Sequence, residues 1–102
     1  MSGYWIARGT ITDEESYAEY ARLWAPIGER FGARFIAAGG KHETREGAEH
    51  TRVAIIEFPS YEQALTCYDD PEYQATLPYA HAAYDNKRNL IIVDGITEAD
   101  SD

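Results

Sequence analysis

Four short stretches of this chain have the residue types of β-strands, and two longer ones between them have the period of a helix. The strand-like stretches are "YWIARGTI" from Tyr4, "ARFIAAGG" from Ala33, "TRVAIIEF" from Thr51 and "NLIIVDG" from Asn89. All are rich in aromatic and branched residues, and turn-forming residues bound them. Between the first two, apolar residues fall at Tyr17, Tyr20, Ala21, Trp24, Ile27 and Phe31, which is one face of a helix. "TDEE" opens that helix with Thr12 as N-cap and Glu15 closing a capping box, and Gly32 ends it. Pro26 lies inside the pattern and is expected to kink it or split off its last turn. Gly39 and Gly40 release the second strand into a charged hairpin connection over residues 41–50. The second helical region, residues 60–85, starts twice: Ser60 with Gln63 reads as a capping box, and Asp70-Pro71 as a new N-terminus.

The resulting order, β-α-β-β-α-β, specifies a ferredoxin-like α+β fold: a four-stranded antiparallel sheet with the helices on one face. A chain of 102 residues suffices for one core, assigned to residues 1–96, with residues 97–102 as an acidic C-terminal tail.

Alternation along the strands then sorts side chains between two faces. Trp5, Ala7, Gly9, Ile11, Phe35, Ala37, Ala54, Ile56, Phe58, Ile91 and Val93 form an uncharged set, expected to pack under the helices. The opposite set places Ile6, Ile36, Val53, Ile55, Leu90 and Ile92 beside four charged residues, Arg8, Arg34, Glu57 and Asp94. Burying one aliphatic side chain is worth about 1.5–3 kcal/mol, so a bare face of this kind predicts a covering surface. A second copy of the chain is the simplest cover, and a homodimer through the open sheet face is expected.

A net charge of −9 with no basic cluster argues against nucleic acid and against anionic membrane surfaces. No apolar run approaches the length of a membrane span, and "MSGYWIARG" lacks the pattern of a signal peptide. Cys67 is the sole cysteine, so the chain forms no internal disulfide, and a cytoplasmic location is expected.

The segments "GYWIARGTITD", "ARFIAAGG", "VAIIEFPSYEQALTCYDDPEYQ" and "LIIVDGI" resemble, in order and spacing, the family called domain of unknown function 1330. "EFPS" followed by "YDDPEYQ" is the most specific part, and the resemblance spans residues 3–96. It implies a dimeric α/β barrel, two ferredoxin-like sheets closing face to face, and accounts for the interrupted second helix. Relatives often carry arginine where this chain has Ala38, and often another near Ala80 in the second helix. If those arginines hold an anionic ligand in relatives, the departure implies a different ligand here.

Several residues are candidates for chemistry. On the barrel-facing side, Glu57 and Arg8 are the first choices for polar catalytic roles, with Arg34 placed opposite Glu57 by a simple hairpin. The competing assignment for Arg34 and Glu57 is a cross-strand ion pair. His81, in the redirected helix, is the candidate for proton transfer, or an axial haem ligand as in related barrel folds; a lone helical histidine is also often an exposed boundary residue. Trp5, Trp24, Tyr73, Tyr79 and Tyr84 are candidates to line an aromatic ligand pocket between helices and sheet, against the alternative that they are core. His42 and His50 flank a loop without zinc-ligand spacing, and Cys67 has no basic neighbour to activate it. No metal or other cofactor is expected. The function these residues suggest is small-molecule binding, as a cofactor-independent monooxygenase- or isomerase-like enzyme on a small organic substrate, or as a non-catalytic sensor or carrier.

Overall fold

The computed structural model describes residues 1–96; the acidic tail assigned to residues 97–102 lies outside them. Strand β1 (Gly3–Gly9) leads into helix α1 (Glu14–Arg30), followed by strands β2 (Arg34–Ala38) and β3 (Arg52–Phe58). Helices α2 (Tyr61–Asp69), α3 (Pro71–Gln74) and α4 (Leu77–Ala83) precede strand β4 (Asn89–Asp94). The sheet order is β2-β3-β1-β4 and every pairing is antiparallel, the ferredoxin-like arrangement expected from the element order. No helix among the described residues is long and apolar enough to cross a membrane.

Local chemistry explains the helix ends. Asp13, one residue later than expected, is the N-cap of α1: its carboxylate accepts from the Ser16 backbone N–H at 3.1 Å and from the Ser16 hydroxyl at 2.8 Å. A carboxylate competes for that position better than the Thr12 hydroxyl, and it also complements the helix dipole. Gly32, at φ +72°, closes the helix, with Ala33 N–H donating to Gly28 O and Gly32 N–H to Glu29 O. Helix α1 runs through Pro26 to Arg30 without splitting off its last turn. Both starts in the second helical region form as read: Ser60 Oγ accepts from Gln63 N–H at 3.0 Å, and Asp70 Oδ1 from Glu72 N–H at 2.8 Å. Arg30 clamps the second start by donating to both carboxylate oxygens of Asp70.

The core lies between the helices and one sheet face. Trp5 is its centre, with ring centroids of Trp24, Phe58, Tyr68 and Tyr73 all within 6 Å of its own and its indole N–H donating to Ala64 O at 2.9 Å. Ile56, Phe58, Ile27, Phe31, Ala64 and Cys67 complete it.

Two strands depart from the expected faces. In β4 the phase is reversed: Trp5 pairs with Ile92 and Ala7 with Leu90, so Leu90 and Ile92 pack toward the core. Ile91 and Val93 therefore take the open face, and Asp94, opposite Gly3, leaves it. Four consecutive aliphatic residues carry no alternation, so only pairing with β1 could set their phase. In β2, a bulge between Phe35 and Ala37 moves Ala37 opposite Ile55, onto the open face. Arg34 does pair with Glu57 as expected, although the loop side of the hairpin is displaced by one, with Ala38 opposite Ala54; the bulge offsets that displacement.

Candidate functional site

Small residues make the site possible. On the helix-facing side of the sheet, Ala7 pairs with Ala54, and Gly9 pairs with Arg52. Above this low floor stand Tyr17, Tyr20, Ala21 and Trp24, which recur at helical spacing along α1 and so share one face. The side chains of floor and ceiling do not meet, and a cavity of about 60 Å³ remains, room for a few waters or a small organic group. Tyr84, at the end of α4, and Arg88, just before β4, close one side, while Phe35 on the edge strand, half exposed, lines the rim.

Arg88 reaches the cavity because the chain reverses sharply after α4. Asp85 and Asn86 both adopt left-handed backbone conformations, at φ +51° and +59°, which these residue types tolerate better than most. Asn86 N–H then returns to His81 O at 2.8 Å, and Lys87 N–H to Tyr84 O at 2.9 Å. The guanidinium of Arg88 donates to the Tyr20 and Tyr73 hydroxyls, each at 3.1 Å, and those hydroxyls bond each other at 2.9 Å. It also stands over the Tyr20 and Tyr84 rings, 5.3 and 5.9 Å from their centroids. Arg52 lines the same cavity from β3, 5.1 Å from the centroid of Tyr17. Among the described residues, no carboxylate lies within ion-pair distance of either arginine.

Burial governs the acidity of these groups. It pushes the Tyr84 phenol up to about 12, and moves the Tyr73 phenol further in the same direction. Tyr17 is also raised by burial, against the pull of Arg52. Burial works against the charge of Arg88, but the adjoining Tyr20 and Tyr73 phenols outweigh it and hold the guanidinium firmly protonated. At neutral pH Tyr17, Tyr73 and Tyr84 are therefore neutral phenols beside a charged Arg88.

The residues singled out from sequence separate into three places. Trp5, Trp24 and Tyr84 line the cavity, and Tyr73, fully buried behind its wall, takes part through its hydroxyl. Glu57, Arg34 and Arg8 stand on the opposite face of the sheet, so the strands separate them from the aromatic group. There Glu57 accepts from Arg34 at 2.5 and 3.2 Å, from Ser2 at 2.7 Å and from Tyr4 at 3.3 Å. The Arg34 bond first, then that of Ser2, holds its carboxyl below the usual range, which makes it a weak base. Tyr79 and His81 are exposed on α4 and line no part of the cavity. In the hairpin loop, His42 places its ring nitrogens 3.1 Å from Gly40 O and 2.8 Å from His50 O, an arrangement that raises its pKa and ties the loop together.

Sequence reasoning placed Tyr17 and Tyr20 in the core stripe without assigning them to a site, and missed Arg52 and Arg88. Arg52 carried a readable signal: it shares strand parity with Ala54, Ile56 and Phe58, where a charge is out of place. Arg88 had none, since the turn that aims it follows no repeating pattern.

The model of the Domain of unknown function (DUF1330) matches residues 2–96. The chain belongs to the DUF1330 family. Among solved structures, this DUF1330 protein is similar to a protein of unknown function from Rhodopseudomonas palustris, with 25% identity and a TM-score of 0.71 over 94% of this chain and 83% of that one. It shares its fold with an ethyl tert-butyl ether d (EthD) family protein from Bacillus halodurans, at 15% identity and a TM-score of 0.60, covering 94% of this chain and 100% of that one. A structure described as an antibiotic biosynthesis monooxygenase has the same fold at 13% identity and a TM-score of 0.53, covering 95% of this chain and 100% of that one. No curated protein matches the sequence.

Proposed function

We propose that this DUF1330 protein binds a small organic molecule in the cavity between α1, Tyr84 and the sheet. The observation that carries this is the lining: tyrosine and tryptophan rings over an alanine floor, with two arginines as the only charged groups among the described lining residues. Such a site, apolar with a few polar groups converging on it, is how small-molecule pockets are generally built. Aromatic walls give a ligand apolar contact, and the arginines and phenols give it orientation.

A second reading, a cofactor-independent enzyme on a small organic substrate, draws on the Tyr20–Tyr73–Arg88 group. Phenol and guanidinium donors held in place before a reaction stabilise negative charge developing on a substrate oxygen. The fold shared with an antibiotic biosynthesis monooxygenase is compatible with this, but supports the scaffold and not the chemistry. The non-catalytic alternative, a sensor or carrier, uses the same cavity without turnover. In either case Glu57 and Arg8 act outside the cavity, and His81 plays no part.

We also propose a two-fold homodimer through the open sheet face. Ile55, Ile6 and Ile91 stand side by side across β3, β1 and β4, with Val93 opposite Tyr4 on the same face and Ile36 exposed in the β2 bulge. Ile91 is 60% exposed, Ile36 49% and Val93 41%, a coherent apolar strip that a second sheet would cover.

Native mass spectrometry of gently purified protein, set beside its denatured mass, tests both parts. A dimer carrying an extra non-covalent mass is the expected result, and that mass identifies the ligand for turnover assays. A monomer throughout the micromolar range would overturn the dimer. Failure of Trp5 and Trp24 fluorescence to respond to any small-molecule panel, with no adduct, would overturn the binding reading.

A further inference from the structure

Arginine side chains that line a largely apolar cavity ordinarily have a carboxylate partner, because a buried charge is costly unless it is paired. Here two guanidiniums face one cavity with no such partner among the described residues. They are also neighbours by construction. Arg52 pairs with Gly9, and Arg88 directly precedes Asn89, which pairs with Arg8; the two arginines therefore flank Gly9 on the helix-facing side. Gly9 has no side chain of its own, and the Tyr84 ring takes the space over it, so close that a Cβ there would be 2.5 Å from Tyr84 Cδ1. Both arginines line the cavity, Arg88 over the Tyr20 and Tyr84 rings and Arg52 over the Tyr17 ring, with the Arg52 guanidinium also lying against Gly39 at the end of β2.

Phenols satisfy only part of the Arg88 fork. A guanidinium carries five N–H donors, and hydrogen bonds to Tyr20 and Tyr73 occupy one on each terminal nitrogen. The remainder suit an oxygen pair in the plane of the fork, the geometry in which arginine binds carboxylates. The exposed Glu14, whose charge is felt at Tyr17, supplies no ion pair to either arginine. Two cations without a carboxylate partner among the described residues thus stand at an aromatic-walled cavity in a protein of net charge −9, a local positive charge suited to an anion.

We propose that the ligand is a small organic anion, a short-chain carboxylate whose charged end sits between Arg88 and Arg52 and whose apolar body lies against Tyr17, Tyr20, Tyr84 and Trp24. The proposal rests on the small-molecule reading above and adds the ligand class. The arginines that the family resemblance would have put at Ala38 and near Ala80 are absent; these two stand elsewhere in the fold, on β3 and before β4.

Titration of the full chain with butyrate and with butyramide, its neutral isostere, separates the two levels, with Trp5 and Trp24 fluorescence as readout. Butyrate is expected to bind about tenfold or more tightly than butyramide, since hydrogen bonds between charged partners exceed neutral ones by that order. Arg88→Met and, separately, Arg52→Gln are expected to collapse that preference toward unity; the second variant stands if the first fails to fold. Equal binding of the two compounds overturns the anion assignment and leaves the small-molecule cavity in place. A preference for butyrate that survives both substitutions overturns the role of these arginines. Binding of neither compound overturns the assignment of short-chain carboxylates, and the broader panel above then decides the fate of the cavity itself.

Discussion

Replacing Gly9 by alanine isolates the contact on which the shape of the cavity depends. An added Cβ would lie 2.5 Å from Tyr84 Cδ1 and 2.9 Å from Cε1, whereas ordinary contact begins near 3.4 Å, so the ring edge must retreat by about 0.9 Å. Tyr84 is only 6% exposed, with the Tyr17 ring edge-on at 6.2 Å and Arg88 at 5.9 Å. The ring's free direction is into the cavity. Forcing extra volume into a packed site costs about 1–3 kcal/mol. Against this, alanine in a strand recovers about 0.5–1 kcal/mol of backbone entropy relative to glycine. With mid-range values the packing term wins by about 1 kcal/mol, within a span of about 0–2.5 kcal/mol. For a domain of this size, each kcal/mol lowers Tm by about 4–8 °C. Urea denaturation should show a lower midpoint with an unchanged m-value, and the cavity should lose affinity for whatever it binds. A Gly9→Ala protein as stable as the parent, or more so, would refute the tight seating of Tyr84 over the strand.

Three further outcomes follow from the same contacts. Tyr73→Phe leaves Arg88 Nη2 and the Tyr20 hydroxyl each short of a partner, and should cost about 1–3 kcal/mol by equilibrium denaturation; a change within experimental error would show that water replaces the hydroxyl freely. Cys67 is fully buried and burial pushes its thiol up to about 12, so native protein should resist iodoacetamide at about pH 8 while urea-unfolded protein reacts; comparable rates would mean that α2 opens readily. Glu57 is held below its ordinary value of 4.5, chiefly by Arg34. Its contribution to stability is therefore complete above that value and lost as pH falls through the lowered one, and Glu57→Gln should flatten this acid limb; superimposable pH profiles would refute the linkage.

Period and punctuation alone determined a good deal of this protein. The order of strands and helices, the caps at Ser60 and Asp70, the Gly32 stop and the sides of β1 and β3 are all consequences of local stereochemistry, acting within a few residues. That is enough to specify a ferredoxin-like sheet with one aromatic, helix-facing side. The pairing of Arg34 with Glu57 was reached by counting from the loop, and it stands because the bulge offsets a one-residue displacement of the loop-side register. Where the chain is locally silent, only the assembled fold could decide. Leu90 to Val93 are aliphatic at every position, so the side each one takes came from the register with β1. The bulge in β2 reassigned Ala37 for the same reason: one extra residue inverts a two-residue period. The site itself is the strongest case. Its cavity exists because Ala7 and Ala54 on different strands lie under tyrosines from α1, and its charge because two left-handed residues aim Arg88 back beneath them. Arg52, Arg88 and Tyr20 are distant in sequence, and no local rule couples them; the meeting of their side chains is a property of tertiary packing, as is the sheet that keeps Glu57 on the far side.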